Sequence, residues 1–145
     1  MKARVKWAEQ AAFIAESGSG HAIVIDGPEH IGGRNLGPRP MELMLMSVGA
    51  CSSVDVVYIL KRARQPISDC YVEVEGTRAE TEPKVFTAIH LHFVVSGDGL
   101  NASQVKRAVA LSAEKYCSAS IMLGQGGVAM THSHEIRAVG GGEPA

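Results

Sequence analysis

The segment that most restricts what this chain can fold into runs from Pro40 to about Arg64. It reads as one long helix. Pro40 suits a first helical turn, where its missing N–H has no intrahelical partner to lose. Lys61-Arg62-Ala63-Arg64 puts positive charge at the negative end of the helix dipole, and Pro66 stops the helix. Such a helix is a rod of roughly 35 Å, as long as a small domain is wide. Its apolar positions include Met41, Leu43, Met44, Leu45, Met46, Val48, Val54, Val56, Val57, Ile59 and Leu60, and they cover nearly every face. A helix that is apolar all round is buried on most sides. In a chain of 145 residues, a second subunit is expected to supply part of that cover.

The same segment is interrupted by Glu42, the pair Ser52-Ser53 and Asp55, so no stretch is read as spanning a bilayer. The first residues, through Trp7, alternate charged with apolar side chains and lack the apolar stretch of a signal peptide. The expectation is a soluble cytoplasmic protein with reduced thiols and no membrane partner. A formal net charge of -1 and 5% aromatic residues argue against phosphate-driven or base-stacking contact with nucleic acid.

Around the helix, the period changes to two. Ala3, Val5 and Trp7 alternate with Lys2, Arg4 and Lys6, and Ala12 to Glu16 and His21 to Asp26 read as two further strands joined at Ser17-Gly18-Ser19-Gly20. Asp26 opens a long loop kept irregular by Gly32, Gly33, Asn35, Gly37 and Pro38. After the helix, Cys70, Val72 and Val74 share one strand face, and Ile89, Leu91, Phe93 and Val95 share another, with Gly76 to Pro83 as the connection. Asn101 and Gln104 suggest a capping box at the start of a second helix reaching about Tyr116. Ser118 to Gly124 suggests a short further helix capped by Ser118, Val128 to Val139 a last strand, and Gly140 to Ala145 a flexible tail. The order βββ-α-ββ-α-β, with few parallel crossovers, indicates an α+β fold in a single domain over residues 1–139.

Three cysteines are too few and too widely spaced for a secreted disulfide scaffold. Cys70 falls on an apolar strand face and reads as inert core. Cys51 sits within the long helix beside Gly49 and Ala50, small residues that let a backbone, ligand or partner helix come close. On residue type alone it also reads as a small core hydrophobe. Cys117 falls at a break between two helical segments, where a helix N-terminus would favour a thiolate. Cys51 and Cys117 are 66 positions apart, and spacing does not bring their sulfurs together. The pairs His90/His92 and His132/His134 have the alternation of metal ligands, but the two strand faces would have to coincide, and no metal site is expected.

The segment Gly37-Pro-Arg-Pro-Met-Glu-Leu-Met-Leu-Met-Ser-Val-Gly-Ala-Cys51 resembles the signature of the OsmC/Ohr superfamily, in which a proline and an acidic residue open a long helix carrying a reactive cysteine. Glu114-Lys-Tyr-Cys-Ser118 resembles the segment of the family's second cysteine, and the element order matches over nearly the whole chain. The YhfA-type branch, where Pro-x-Glu-Leu and Leu-Met also occur, is the most similar. The resemblance implies an intertwined homodimer and a thiol-dependent peroxidase acting on organic hydroperoxides. Cys51 would be peroxidatic and Cys117 resolving, a dithiol would reduce the pair, and no cofactor would be needed. Ohr-type proteins activate the cysteine with a glutamate directly after the proline and an arginine from the early strands. Here Met41 holds the first position, Glu42 follows one residue later, and Phe13 to Asp26 contains no arginine. Arg34 and Arg39, in the loop before the helix, are the available replacements. The alternative implied is a non-catalytic dimer of the same fold that binds a small hydrophobic ligand in the interface cleft, suited by the adaptable side chains of Met41, Met44 and Met46.

Overall fold

The computed structural model describes residues 1–139, and the tail expected over Gly140–Ala145 lies outside the described residues. The fold is α+β, with two three-stranded sheets and three α-helices among the described residues. The chain divides into two compact units, Met1–Met44 and a second beginning at Leu45.

In the first unit β1 (Ala3–Glu9), β2 (Ala12–Ser17) and β3 (Ala22–Ile25) form an antiparallel meander. Trp7 pairs with Phe13, Phe13 with Ile25, and Ala15 with Ile23. That register puts Val5, Trp7, Phe13 and Ile23 on one face, as the alternation anticipates. The following loop is organised by Asp26, which is buried and accepts hydrogen bonds from the N–H groups of Gly27, Arg34 and Leu36. The Arg34 and Leu36 amides in turn hold its carboxyl below the usual carboxylate range against the opposing effect of burial. Gly33 is required there by space, since a Cβ would sit 1.8 Å from the Gly27 carbonyl oxygen. The sequence alone marks Asp26 only as the start of the loop.

α1 spans Pro40–Arg62, and Glu42 Oε2 accepts the Arg39 N–H at 2.8 Å to close its first turn. Within the second unit α1 buries Val48, Gly49, Ser52, Val56 and Leu60. The spacing of four between Val48, Ser52, Val56 and Leu60 makes a single stripe. Burial within one chain is therefore narrower than the apolar content of the helix anticipates, and Val54 is left 69% exposed. The expectation that no segment suits a bilayer also needs correction. By length and composition alone α1 is apolar enough to cross one, with a mean hydropathy of 1.8 over its best window. Asp55 and the serine pair do not lower that average enough.

The second sheet has the order β4 (Ile67–Arg78), β5 (Phe86–Gly97), β6 (Ala129–Arg137). β4 and β5 are antiparallel, and β5 and β6 are parallel, so the last helices form one parallel crossover. The expected turn at Gly76 lies instead inside β4, opposite Ile89. A Cβ on Gly76 would meet the Phe86 ring at 2.6 Å, so close packing and not turn formation accounts for the glycine. Ile89, Leu91, Phe93 and Val95 share a face with Cys70, Val72 and Val74, and these four β5 residues are fully buried. Each such side chain contributes about 1.5–3 kcal/mol of apolar burial. α1 lies on this face, and Gly49 permits it, because a Cβ there would stand 2.8 Å from Val74 Cγ2 and 3.2 Å from Val72 Cγ1.

α2 (Ala102–Leu111) is capped by Asn101, whose side chain accepts from the N–H groups of Ser103 and Gln104. The other half of the expected capping box is replaced: the Asn101 N–H donates to Gln65 Oε1 at 2.9 Å. A π-turn, Ser112–Tyr116, carries the chain to Cys117 and α3 (Ser118–Gln125).

Candidate active site

Cys51 lies at the middle of α1, one residue from the buried stripe, and is half-buried. Cys117 lies where the π-turn ends and α3 begins, and is fully buried. The fold brings the two together. The Cys51 and Cys117 sulfurs and a carboxylate oxygen of Asp55 all lie within 4.8 Å of one another. Cys51 and Asp55 are four positions apart on α1 and so project from the same side of the helix.

Cys117 itself caps α3: its sulfur accepts the Ser120 N–H at 3.4 Å. This corrects the expected cap at Ser118, which falls one residue inside the helix. The Ser52 hydroxyl donates to Cys117 Sγ at 3.1 Å and lies 3.3 Å from the Ser120 hydroxyl. Ser112 Oγ donates to the Ser52 carbonyl at 3.0 Å and ties the π-turn to α1. These bonds settle the electrostatics of the two thiols in opposite directions. Burial pushes Cys117 up, but the hydroxyls of Ser120 and Ser52, with the Ser120 N–H, outweigh it and leave the thiol below its ordinary value. Burial pushes Cys51 up, the neighbouring Cys117 and Asp55 push it further, and the Ala119 N–H opposes them without reversing the result. Asp55 is raised by burial, and its Oδ2 is buried with no hydrogen-bond partner among the described residues.

Asp55 also borders a cavity of about 560 Å³, whose walls include Tyr58, Ile59, Leu111 and Tyr116 with Arg62 and Arg107. That size is within the range of small-molecule pockets. The other candidate residues, Arg34, Arg39 and Glu42, lie in the first unit. The Arg34 guanidinium pairs with Glu9, and the Glu42 carboxylate caps α1 through the Arg39 N–H. Cys70 is on β4, and burial followed by the Asp69 charge pushes its thiol up to about 11.

The two histidine pairs lie on opposite faces of the second sheet. His90 bonds Thr131 Oγ1 and Ser133 Oγ, and His92 bonds Ser133 Oγ, whereas His132 and His134 pair with Leu91 and Phe93. They form no joint site. Ser52, Ser120 and Asp55 are the residues that sequence reading missed as parts of the site. The only signal available was the polarity of Ser52 and Asp55 inside an otherwise apolar helix.

The profile of the OsmC-like protein family matches residues 32–133. Protein YhfA of Escherichia coli (strain K12) is 49% identical over 136 residues, covering 94% of this chain and 98% of that protein. A crystal structure of a hypothetical protein from Aquifex aeolicus VF5 has a TM-score of 0.82 at 31% identity, covering 94% of this chain and 96% of its own. An organic hydroperoxide resistance protein, OsmC, from Legionella pneumophila has the same fold, with a TM-score of 0.69 at 21% identity and coverage of 92% and 95%.

Proposed function

This chain belongs to the OsmC-like protein family, and from that premise we propose that it is a thiol-dependent peroxidase that reduces organic hydroperoxides, with Cys51 peroxidatic and Cys117 resolving. The observation that carries the reading is the meeting of two free thiols, distant in sequence, within 4.8 Å at a helix junction. Fold neighbours described as organic hydroperoxide resistance proteins support it.

Accessibility divides the roles. Cys51 is the half-buried sulfur and meets the peroxide, while Cys117 is sealed. The Cys51 thiolate attacks one peroxide oxygen, the O–O bond breaks, and the leaving alkoxide takes a proton to become the alcohol. Cys51 is left as a sulfenic acid. Cys117, held toward its thiolate by Ser52 and Ser120, attacks the Cys51 sulfur. The hydroxyl leaves as water and a disulfide forms. A dithiol reductant restores both thiols by exchange, becoming a disulfide itself. In this proposal the organic group of the peroxide lies in the cavity beside Asp55, against Tyr58, Ile59, Leu111 and Tyr116. On this reading the donors of the second unit, Ser52 and Ser120, favour the Cys117 thiolate. Cys51 reacts through the fraction of its raised thiol that is ionised, and Arg34, Arg39 and Glu42 act through folding of the loop and the start of α1. A reducing compartment such as the cytoplasm suits the recycling step.

The working unit in this proposal is a homodimer. Val5, Trp7, Phe13 and Ile23 form an apolar sheet face open to solvent in the single chain, Trp7 at 62%, and Val54 and Tyr58 of α1 are also exposed. Patches of this kind mark contact surfaces. The expected mass in sedimentation equilibrium is twice that of the chain, and Trp7→Glu should shift it toward one. The activity is tested by cumene hydroperoxide consumption under dithiol recycling, for wild type and Cys51→Ser. Turnover by wild type alone is expected. Equal background consumption by both would leave instead the second reading, a dimer that binds a hydrophobic ligand without turnover, which the same cavity favours.

A further inference from the structure

Peroxide chemistry at this site uses two sulfurs and leaves a third group unexplained. Asp55 carries a carboxylate oxygen, Oδ2, that is buried and unpartnered among the described residues, and a carboxylate oxygen of Asp55 lies within 4.8 Å of both sulfurs. A buried oxygen without a donor is an unsatisfied polar group that calls for a partner. The arrangement is that of a ligand set: two thiols and a carboxylate converging from one turn of α1 and the N-cap of α3.

We propose that the reduced chain binds one thiophilic divalent cation of the zinc class through Cys51, Asp55 and Cys117. Zinc accepts cysteine sulfur and aspartate oxygen together in tetrahedral sites, and sulfur ligands select against magnesium and calcium. Three protein ligands leave one position of a tetrahedral site open for water. The Ser52 hydroxyl on Cys117 Sγ and the Ser112 hydroxyl on the Ser52 carbonyl hold the sulfur in place from outside the ligand set. Binding is ligand exchange with no change of oxidation state: the metal replaces the thiol protons, which pass to solvent. The same two sulfurs cannot hold the metal and be joined to each other. The metal-bound and disulfide forms therefore exclude each other, and the metal shields the reduced pair from peroxide.

The test is a Co²⁺ titration of the full, reduced chain, followed by thiolate-to-cobalt charge-transfer absorption in the near ultraviolet. One Co²⁺ per chain is expected, displaced by Zn²⁺. Cys51→Ser and Cys117→Ser should lose the band, Asp55→Asn should weaken binding at least about tenfold while keeping the fold by circular dichroism, and Cys70→Ser should bind as wild type does. Chain oxidised to the disulfide should bind no cobalt. Absence of the band from wild type overturns the site, and so does a band that survives Cys51→Ser or is unmoved by Asp55→Asn. If a variant does not fold, X-ray absorption of the zinc-loaded wild type decides: two sulfur neighbours are expected, and none or one overturns the proposal. The site needs only the reduced thiols and not peroxidase turnover. Cobalt binding without peroxide consumption sinks the peroxidase reading alone, and the reverse sinks the metal site alone.

Discussion

The helix junction around Cys117 and the strand position of Cys70 are two settings for a thiol in one folded unit. The thiol is fully buried at the first and, against the expectation of a core position, half-buried at the second. At the junction the sulfur meets donors: the Ser52 hydroxyl at 3.1 Å, the Ser120 N–H at 3.4 Å and the Ser120 hydroxyl. On β4 it meets the apolar face built by Val72, Val74 and Val95, with the Asp69 charge nearby. Burial raises both thiols. Only at the junction do hydrogen bonds reverse the result, leaving Cys117 low while Cys70 rises to about 11. Burial alone therefore does not distinguish a structural cysteine from a reactive one. The donors around the sulfur and the presence of a second thiol within reach do.

The largest effects should come from the pair itself. Cys51→Ser should bring peroxide turnover to the background rate. Cys117→Ser should let the Cys51 sulfenic acid persist, detectable by dimedone labelling and mass spectrometry. If Cys70→Ser had the same effect, the contrast between the two positions would collapse. Next is Gly49→Val, which drives a side chain into Val72 and Val74 where α1 crosses β4. Overpacking of this kind costs about 1–3 kcal/mol, to be read by urea denaturation, and it should slow disulfide formation by moving Cys51. Ser52→Ala should cost about 1 kcal/mol of stability through its lost hydrogen bond and slow the resolving step in stopped-flow measurements, with the Cys51 reaction unchanged.

The smallest effect at neutral pH belongs to Cys70→Val, which should leave turnover as it is. Its signature is in alkali. The folded Cys70 thiol titrates near 11, above the ordinary 9.0. Its contribution to stability is complete below about pH 9 and is lost as pH rises through the folded value. Wild type should therefore lose stability faster than Cys70→Val over that window in denaturation curves.

Much of this contrast is legible in the sequence. Pro40 and Pro66 bracketed α1, and alternation placed Cys70 with Val72 and Val74. The break at Cys117 stood between two helical patterns. What was not legible depends on contacts between distant segments. The cap of α3 is a sulfur where a serine hydroxyl one residue on was the ordinary choice. Gly76 looked like a turn because its reason, the Phe86 ring, lies across the sheet. The parallel pairing of β5 with β6 and the role of Asp26 are likewise set by tertiary contact. Asp55 read as an interruption in an apolar helix, and only its position beside both sulfurs makes it a candidate ligand.

The central claim is that Cys51 and Cys117 act as one redox unit. Reduced chain treated with one equivalent of cumene hydroperoxide, quenched with an alkylating reagent and mapped by peptide mass spectrometry tests it directly. The account expects two thiols lost per hydroperoxide, a single Cys51–Cys117 disulfide within the chain, and Cys70 recovered in alkylated form. Three alkylated cysteines after treatment, or a disulfide that includes Cys70, would contradict it.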